Sequence, residues 1–141
     1  MRVLITGFEP NDDDLNASEL VVVSLRDHPT QELRQYIDDI DFKIMPGNTN
    51  ILGQAVDETL KTVAPDICIG VGQARGYNRI ALERMAKNLR YFISLDRAGN
   101  APKGEPIVAD APIAYWNTLP EQDSLVKLLE SHNIPAKISN D

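Results

Sequence analysis

The chain has 141 residues, 43% of them hydrophobic and 25% charged, which is the size and apolar content of one globular domain. Fourteen lysines and arginines against 21 aspartates and glutamates leave a net charge of -7, an unfavourable balance for a nucleic-acid partner, whose binders present a basic patch. A single cysteine, Cys68, excludes an internal disulfide framework and suits a reducing compartment. No window approaches the ~18 consecutive apolar residues of a membrane span, and the N-terminus turns polar too soon for a signal peptide. The expectation is a cytoplasmic protein of one domain, residues 1-141, with neither membrane nor nucleic acid as partner.

Arg2 to Thr6 is a short apolar run closed by Gly7, the pattern of a buried parallel strand. A polar loop follows from Glu9 to Leu15, and Asn16-Ala17-Ser18 can cap a helix carrying Leu20, Val21 and Leu25. Leu33 to Ile37 and Ile40 to Met45 read as two strands joined by an Asp38-Asp39 turn. After the break at Pro46-Gly47-Asn48-Thr49, the spacing of Ile51, Leu52, Ala55, Val56 and Leu60 predicts a helix from Asn50 that ends before Pro65. Asp66 to Val71 reads as a buried strand and Gly72 to Asn78 as a Gly-rich loop. From Ile80 to Ile93 the spacing of Leu82, Met85, Leu89 and Phe92 favours a helix. Gly99 to Pro112 has loop composition, Glu121 to His132 is an amphipathic helix started by Pro120, and Ala136 to Ser139 reads as a last strand. The alternation predicts an α/β fold, a three-layer α/β/α sandwich around a mainly parallel sheet.

Few segments carry chemistry by themselves. Gly70 to Gly76 follows a strand as a dinucleotide fingerprint would, but its third glycine falls one position late, and a turn of small residues explains it better. Glu83-Arg84 reads as a solvated ion pair unless the carboxylate orients a histidine, as in a nucleophile-base-acid triad. Cys68, between Ile67 and Ile69 with no basic neighbour, reads as an inert core cysteine. His28 and His132 fall where helices end, a position that suits a cationic side chain, and they lack metal-ligand spacing. Asp12-Asp13-Asp14 lacks the spaced ligands and glycine of a calcium loop. No metal and no cofactor is expected.

Five segments in order along the chain resemble the pyrrolidone-carboxylate peptidases (pyroglutamyl peptidase I). They are Val3 to Pro10, Pro65 to Ala74, Ile80 to Asn88, Glu105 to Pro120 and Ile134 to Asn140. The resemblance implies a cytosolic cysteine peptidase that removes N-terminal pyroglutamate from peptides, folded as one α/β/α domain and assembled as a homo-oligomer, often a tetramer. It implies that Glu83 is the catalytic acid, that Phe8 packs on the pyroglutamyl ring, and that Asn16 and Gln73 belong to the same substrate-binding pocket. It also implies a strand from Ile80 to Asn88, against the helical spacing.

The departures from the family are specific. Its first loop continues with Phe-Gly-Gly where this chain has Asn11-Asp12-Asp13, so a second ring-stacking aromatic is lost and carboxylates are added. An arginine expected beyond Glu83 is Ile93. The family's catalytic cysteine and histidine lie past the segment that matches Ser139-Asn140, and neither Cys68 nor His132 aligns with them. The 141 residues are therefore expected to be inactive alone, as the N-terminal portion of an enzyme or, alternatively, a degenerate relative kept for binding or assembly.

Overall fold

The apolar run after Arg2 folds as β1 (Val3–Phe8), in which Leu4, Ile5, Thr6 and Gly7 are buried in succession. Successive residues of a strand point to opposite faces, so both faces are covered, as in a central parallel strand. The computed structural model describes residues 1-10, 15-119 and 121-140. They fall into two compact units: unit 1 comprises Met1–Gln73 and Phe92–Ala101, and unit 2 comprises Ala74–Tyr91 and Pro102–Asp141.

In unit 1, β1 is the middle of a parallel three-stranded sheet between β2 (Ile40–Met45) and β3 (Ile67–Gly70), with Val3 opposite both Ile40 and Ile67. Parallel neighbours need crossovers, and helices supply them. The first crossover holds α1 (Ala17–Asp27), a short α2 (Gln31–Arg34) and a 3₁₀ turn at Ile37–Asp39; the second is α3 (Thr49–Val63). The two long helices start alike. Asn16 Oδ1 accepts the Ser18 N–H at 2.9 Å, and Asn48 Oδ1 accepts the Asn50 N–H at 2.9 Å, satisfying amides that the first turn leaves without partners. Val22, Met45 and Val63 join Leu4 and Ile5 in the core. Gly7 lets α1 approach: a Cβ there would stand 2.6 Å from the Ser18 carbonyl oxygen and 2.9 Å from its carbon.

Unit 2 is built from strand pairs. β4 (Ile80–Glu83) runs parallel to β9 (Ala136–Ser139), while β5 (Met85–Lys87) pairs antiparallel with β8 (Ala114–Trp116) and β6 (Arg90–Tyr91) with β7 (Lys103–Glu105). The helix α4 (Gln122–Ser131) packs on β9.

The α/β class with a parallel sheet is as the alternation indicates, and three local readings change. Leu33 to Ile37 is not a strand. The Thr30 hydroxyl accepts the Leu33 N–H at 3.3 Å and starts α2 instead. Ile80 to Ile93 is not a helix. Its first residues pair with β9, as the family likeness implies, because strand partners distant in sequence override local spacing. Asp66 to Val71 does contain a strand, but β3 lies at the sheet edge, and Cys68 and Ile69 are exposed rather than buried. The Asn11-Asp12-Asp13 loop, Asp14 and the helix-starting role given to Pro120 lie outside the described residues.

Candidate functional site

Three of the four residues singled out for a site meet on one cleft of unit 1. Phe8, Asn16 and Gln73 line a cavity of about 310 Å³ together with Pro46, Gly47, Asn48, Thr49, Leu52, Gly72, Phe92 and Asp96. This lies at the small end of the ~300-1,000 Å³ range of small-molecule pockets. The cleft gathers the C-terminal end of β1, the start of α1, the turn into α3, the end of β3's following segment and the returning segment Phe92–Ala101. In open α/β sheets the carboxyl ends of parallel strands are where ligands bind, because the loops there converge.

One hydrogen-bonded relay fixes the polar part of the wall. The Phe8 N–H donates to Ser18 Oγ at 3.0 Å, and the Ser18 hydroxyl donates to Asn16 Oδ1 at 2.7 Å. Asn16 Nδ2 donates to the Glu9 carbonyl at 3.3 Å, which fixes both ends of that amide. Next along α1, the Ala17 N–H donates to Gln73 Oε1 at 2.7 Å. With its oxygen held, Gln73 keeps its NH2 without a hydrogen-bond partner among the described residues. It is a donor on the cleft wall, suited to a carbonyl acceptor.

The opposite anchor is Asp96. Its Oδ2 accepts the Thr49 N–H at 2.8 Å and the Thr49 hydroxyl at 2.7 Å, and its Oδ1 accepts the backbone N–H groups of Ala98 at 2.9 Å and Asn100 at 2.7 Å. The Asn100 side-chain amide adds bonds of 3.1 Å to each oxygen. Burial pushes this carboxyl up, but the hydrogen bonds from Thr49 and Asn100 outweigh it and hold the group well below the usual carboxylate range. Its negative charge is thus used within the protein, at the N-terminus of α3. The Arg97 N–H donates to the Gly47 carbonyl at 3.1 Å, and the Arg97 guanidinium meets Glu9 at 3.3 Å, tying the same segment to the turn before α3. Sequence reasoning did not reach Asp96, Thr49 or Phe92. Asp96 followed by Gly99-Asn100 has turn composition, the one local signal available.

Glu83, the fourth residue, belongs to unit 2 and ends β4 opposite Ser139. Its carbonyl is held by Asn117 Nδ2 at 2.9 Å and Gln122 Nε2 at 3.3 Å, while its side chain is exposed. Arg84 does not pair with it: the guanidinium lies 3.9 Å from Asp123, and the Arg84 N–H donates to the Ser139 carbonyl at 2.8 Å.

The remaining chemistry-bearing residues are accounted for structurally. Desolvation pushes the Cys68 thiol up, the opposite of what a nucleophile needs. His28 ends α1, and His132 ends α4 with its Nδ1 2.9 Å from the Leu128 carbonyl. Among the described residues no group of three or more His, Cys, Asp or Glu is placed to hold a metal ion, and no helix is long and apolar enough to cross a membrane.

The chain resembles known proteins along its whole length. The model of the family described as pyroglutamyl peptidase matches residues 1-141. The pyrrolidone-carboxylate peptidase of Thermosipho melanesiensis is 38% identical over 141 residues, covering 99% of this chain and 66% of that protein. That of Pyrococcus furiosus is 33% identical over 147 aligned positions, covering 99% and 65%. Among solved structures, a mutant pyrrolidone carboxyl peptidase from P. furiosus superposes with a TM-score of 0.86 at 34% identity, covering 100% of this chain and 65% of that one. The pyroglutamyl peptidase I of Bacillus amyloliquefaciens gives 0.83 at 34% identity, covering 99% and 65%. The chain thus spans about two thirds of the length of these relatives. With a parallel α/β unit that brings Phe8, Asn16 and Gln73 to one cleft, and with a family match along all 141 residues, the chain belongs to the pyroglutamyl peptidase family.

Proposed function

We propose that this chain supplies the pyroglutamyl-binding pocket and the acidic triad member of a peptidase that releases N-terminal pyroglutamate from peptides. The observation that carries this reading is the convergence of Phe8, Asn16 and Gln73 on a cleft where Asp96, the one carboxylate among the described lining residues, is consumed by internal hydrogen bonds. Such a lining suits a small neutral ring with one amide. Phe8 offers a flat apolar face, Gln73 offers NH2 donors to a lactam carbonyl, and among the described lining residues a charged N-terminal amine finds no carboxylate that is not already bonded within the protein.

By the cysteine-peptidase route, a thiolate attacks the pyroglutamyl carbonyl, an imidazole protonates the amine that leaves, and water activated by the same imidazole then releases pyroglutamate from the thioester and restores the thiol, the imidazole's part usually being worth ~10²-10⁴ in rate. Glu83 is assigned the role of orienting and stabilising that imidazole. The nucleophile and the base are assigned to residues other than Cys68, whose thiol is pushed up, and His28 and His132, which end helices. The Asn11-Asp12-Asp13 departure supports a second reading, a relative that binds without cleaving. Exposed apolar side chains of unit 2, such as Ile113 and Trp116, support self-association, which sedimentation would test.

The test has two arms. Calorimetric titration of the 141-residue protein with pyroglutamyl-alanine should give saturable binding, and prolyl-alanine, with its protonated amine, should bind far more weakly. Release of a fluorogenic pyroglutamyl amide should be absent with this polypeptide and present in a longer gene product that brings a further cysteine and histidine. No binding of pyroglutamyl-alanine would remove the pocket assignment. Enzyme-like turnover by the 141 residues would remove the assignment of nucleophile and base elsewhere, and binding without turnover in every longer product would establish the second reading.

A further inference from the structure

The geometry points to Phe92 as a specificity-determining residue of the unit 1 cleft, a second aromatic wall that, with Phe8, holds a flat neutral ring. This inference rests on the pyroglutamyl reading above. The returning segment brings three large apolar side chains in close succession. Ile93 is 92% exposed and Leu95 is 56% exposed, whereas Phe92 is half-buried and lines the cleft. One residue of the three has therefore been turned into the pocket.

Phe92 is also held there. Four residues on, Asp96 takes the Thr49 and Asn100 hydrogen bonds described above, and Arg97 bonds Gly47 and Glu9. These contacts tie the segment to the same α3 start whose Leu52 forms another part of the lining. A ring carried on a pinned segment loses little freedom when a ligand arrives, so its contact area is available at low entropic cost. Phe8, Pro46, Leu52 and Phe92 provide the apolar lining, and amide side chains dominate the polar part. That combination grips the faces of a ring and reads its amide edge.

The experiment is an NMR titration of the 141-residue protein with pyroglutamyl-alanine. The chain has only three phenylalanines, Phe8, Phe42 and Phe92, so the ring resonances can be assigned. Intermolecular NOEs from the lactam methylenes should reach the rings of both Phe8 and Phe92. Phe92→Ala should weaken binding about tenfold, and Phe92→Leu, which keeps apolar bulk, by no more than about threefold. Full affinity in Phe92→Ala, or NOEs to Phe8 without any to Phe92, overturns this assignment and leaves the pyroglutamyl reading standing. Absence of binding by the unaltered protein overturns both. The NOE readout uses the unaltered protein and is independent of how well the variants fold.

Discussion

Leu4 of β1 keeps 1% of its surface in contact with solvent, whereas Ile113, one residue before β8, keeps 87%. The contrast extends to their surroundings. Unit 1 places β1 between two parallel partners and buries Leu4, Ile5, Val22, Met45 and Val63. Unit 2 combines α4 with strand pairs of two to four residues a side, and among the described residues its only buried apolar ones are Ala136 and Pro102. A three-stranded sheet with crossover helices can bury both faces of its middle strand; a two-stranded pair has only edges. The cleft that needs side chains held in place is built on the first kind of scaffold, and the exposed Glu83 carboxylate stands on the second.

Leu4→Ala should cost about 2-5 kcal/mol in urea unfolding, since it deletes a fully buried side chain in a strand covered on both faces. A cost below about 1 kcal/mol would mean that β1 is not the core of unit 1. Gly7→Ala should follow at about 1-3 kcal/mol, because the new methyl would meet the Ser18 carbonyl and α1 would have to shift. That shift would reach the Ser18–Asn16 relay, so pyroglutamyl-alanine binding should weaken alongside stability.

How much of this was legible in the sequence differs by region for the same reason. β1 announced itself as an apolar run closed by Gly7, and α3 by the spacing of Ile51, Leu52, Ala55, Val56 and Leu60 with Pro65 behind it, because those signals are local. The strand β4 was hidden beneath helical spacing, since what makes it a strand is pairing with Ala136 to Ser139, far along the chain. Cys68 looked like core from its isoleucine neighbours, but exposure depends on whether another strand covers β3, which no neighbour in sequence records. Phe8, Asn16 and Gln73 were marked by family likeness rather than by local pattern. Asp96 escaped altogether: its partner Thr49 lies 47 positions away, and a lone aspartate ahead of a Gly99-Asn100 turn carries no mark of burial.

Asp96 offers a sharper test of what holds the cleft together. Its folded-state pKa lies below the unfolded value of about 3.9, so the unfolded chain binds the proton more readily. The stability it contributes is complete above about pH 5 and is lost as the pH falls through the unfolded value toward the folded one. Asp96→Asn brings NH2 donors against the N–H groups of Thr49, Ala98 and Asn100 and should lower the melting temperature by several degrees at pH 7. The gap between the two proteins should narrow as the pH is lowered from 5 to 2. A gap that stays constant over that range would show that the carboxylate is not ionised against those donors.

The smallest effect belongs to unit 2 and is informative for that reason. Ile113→Ser removes an apolar side chain that is 87% exposed, so it forfeits almost no burial and leaves no cavity. Its carbonyl accepts the Asn88 N–H at 2.7 Å, a backbone bond that the substitution preserves. The unfolding free energy should therefore change by less than about 0.5 kcal/mol in dilute solution. If the exposed apolar side chains of this unit associate between copies, the same substitution should lower the sedimentation coefficient at high concentration without altering the dilute melting temperature. A loss above about 1 kcal/mol in the dilute monomer would place Ile113 in a packed interior and erase the distinction between it and Leu4.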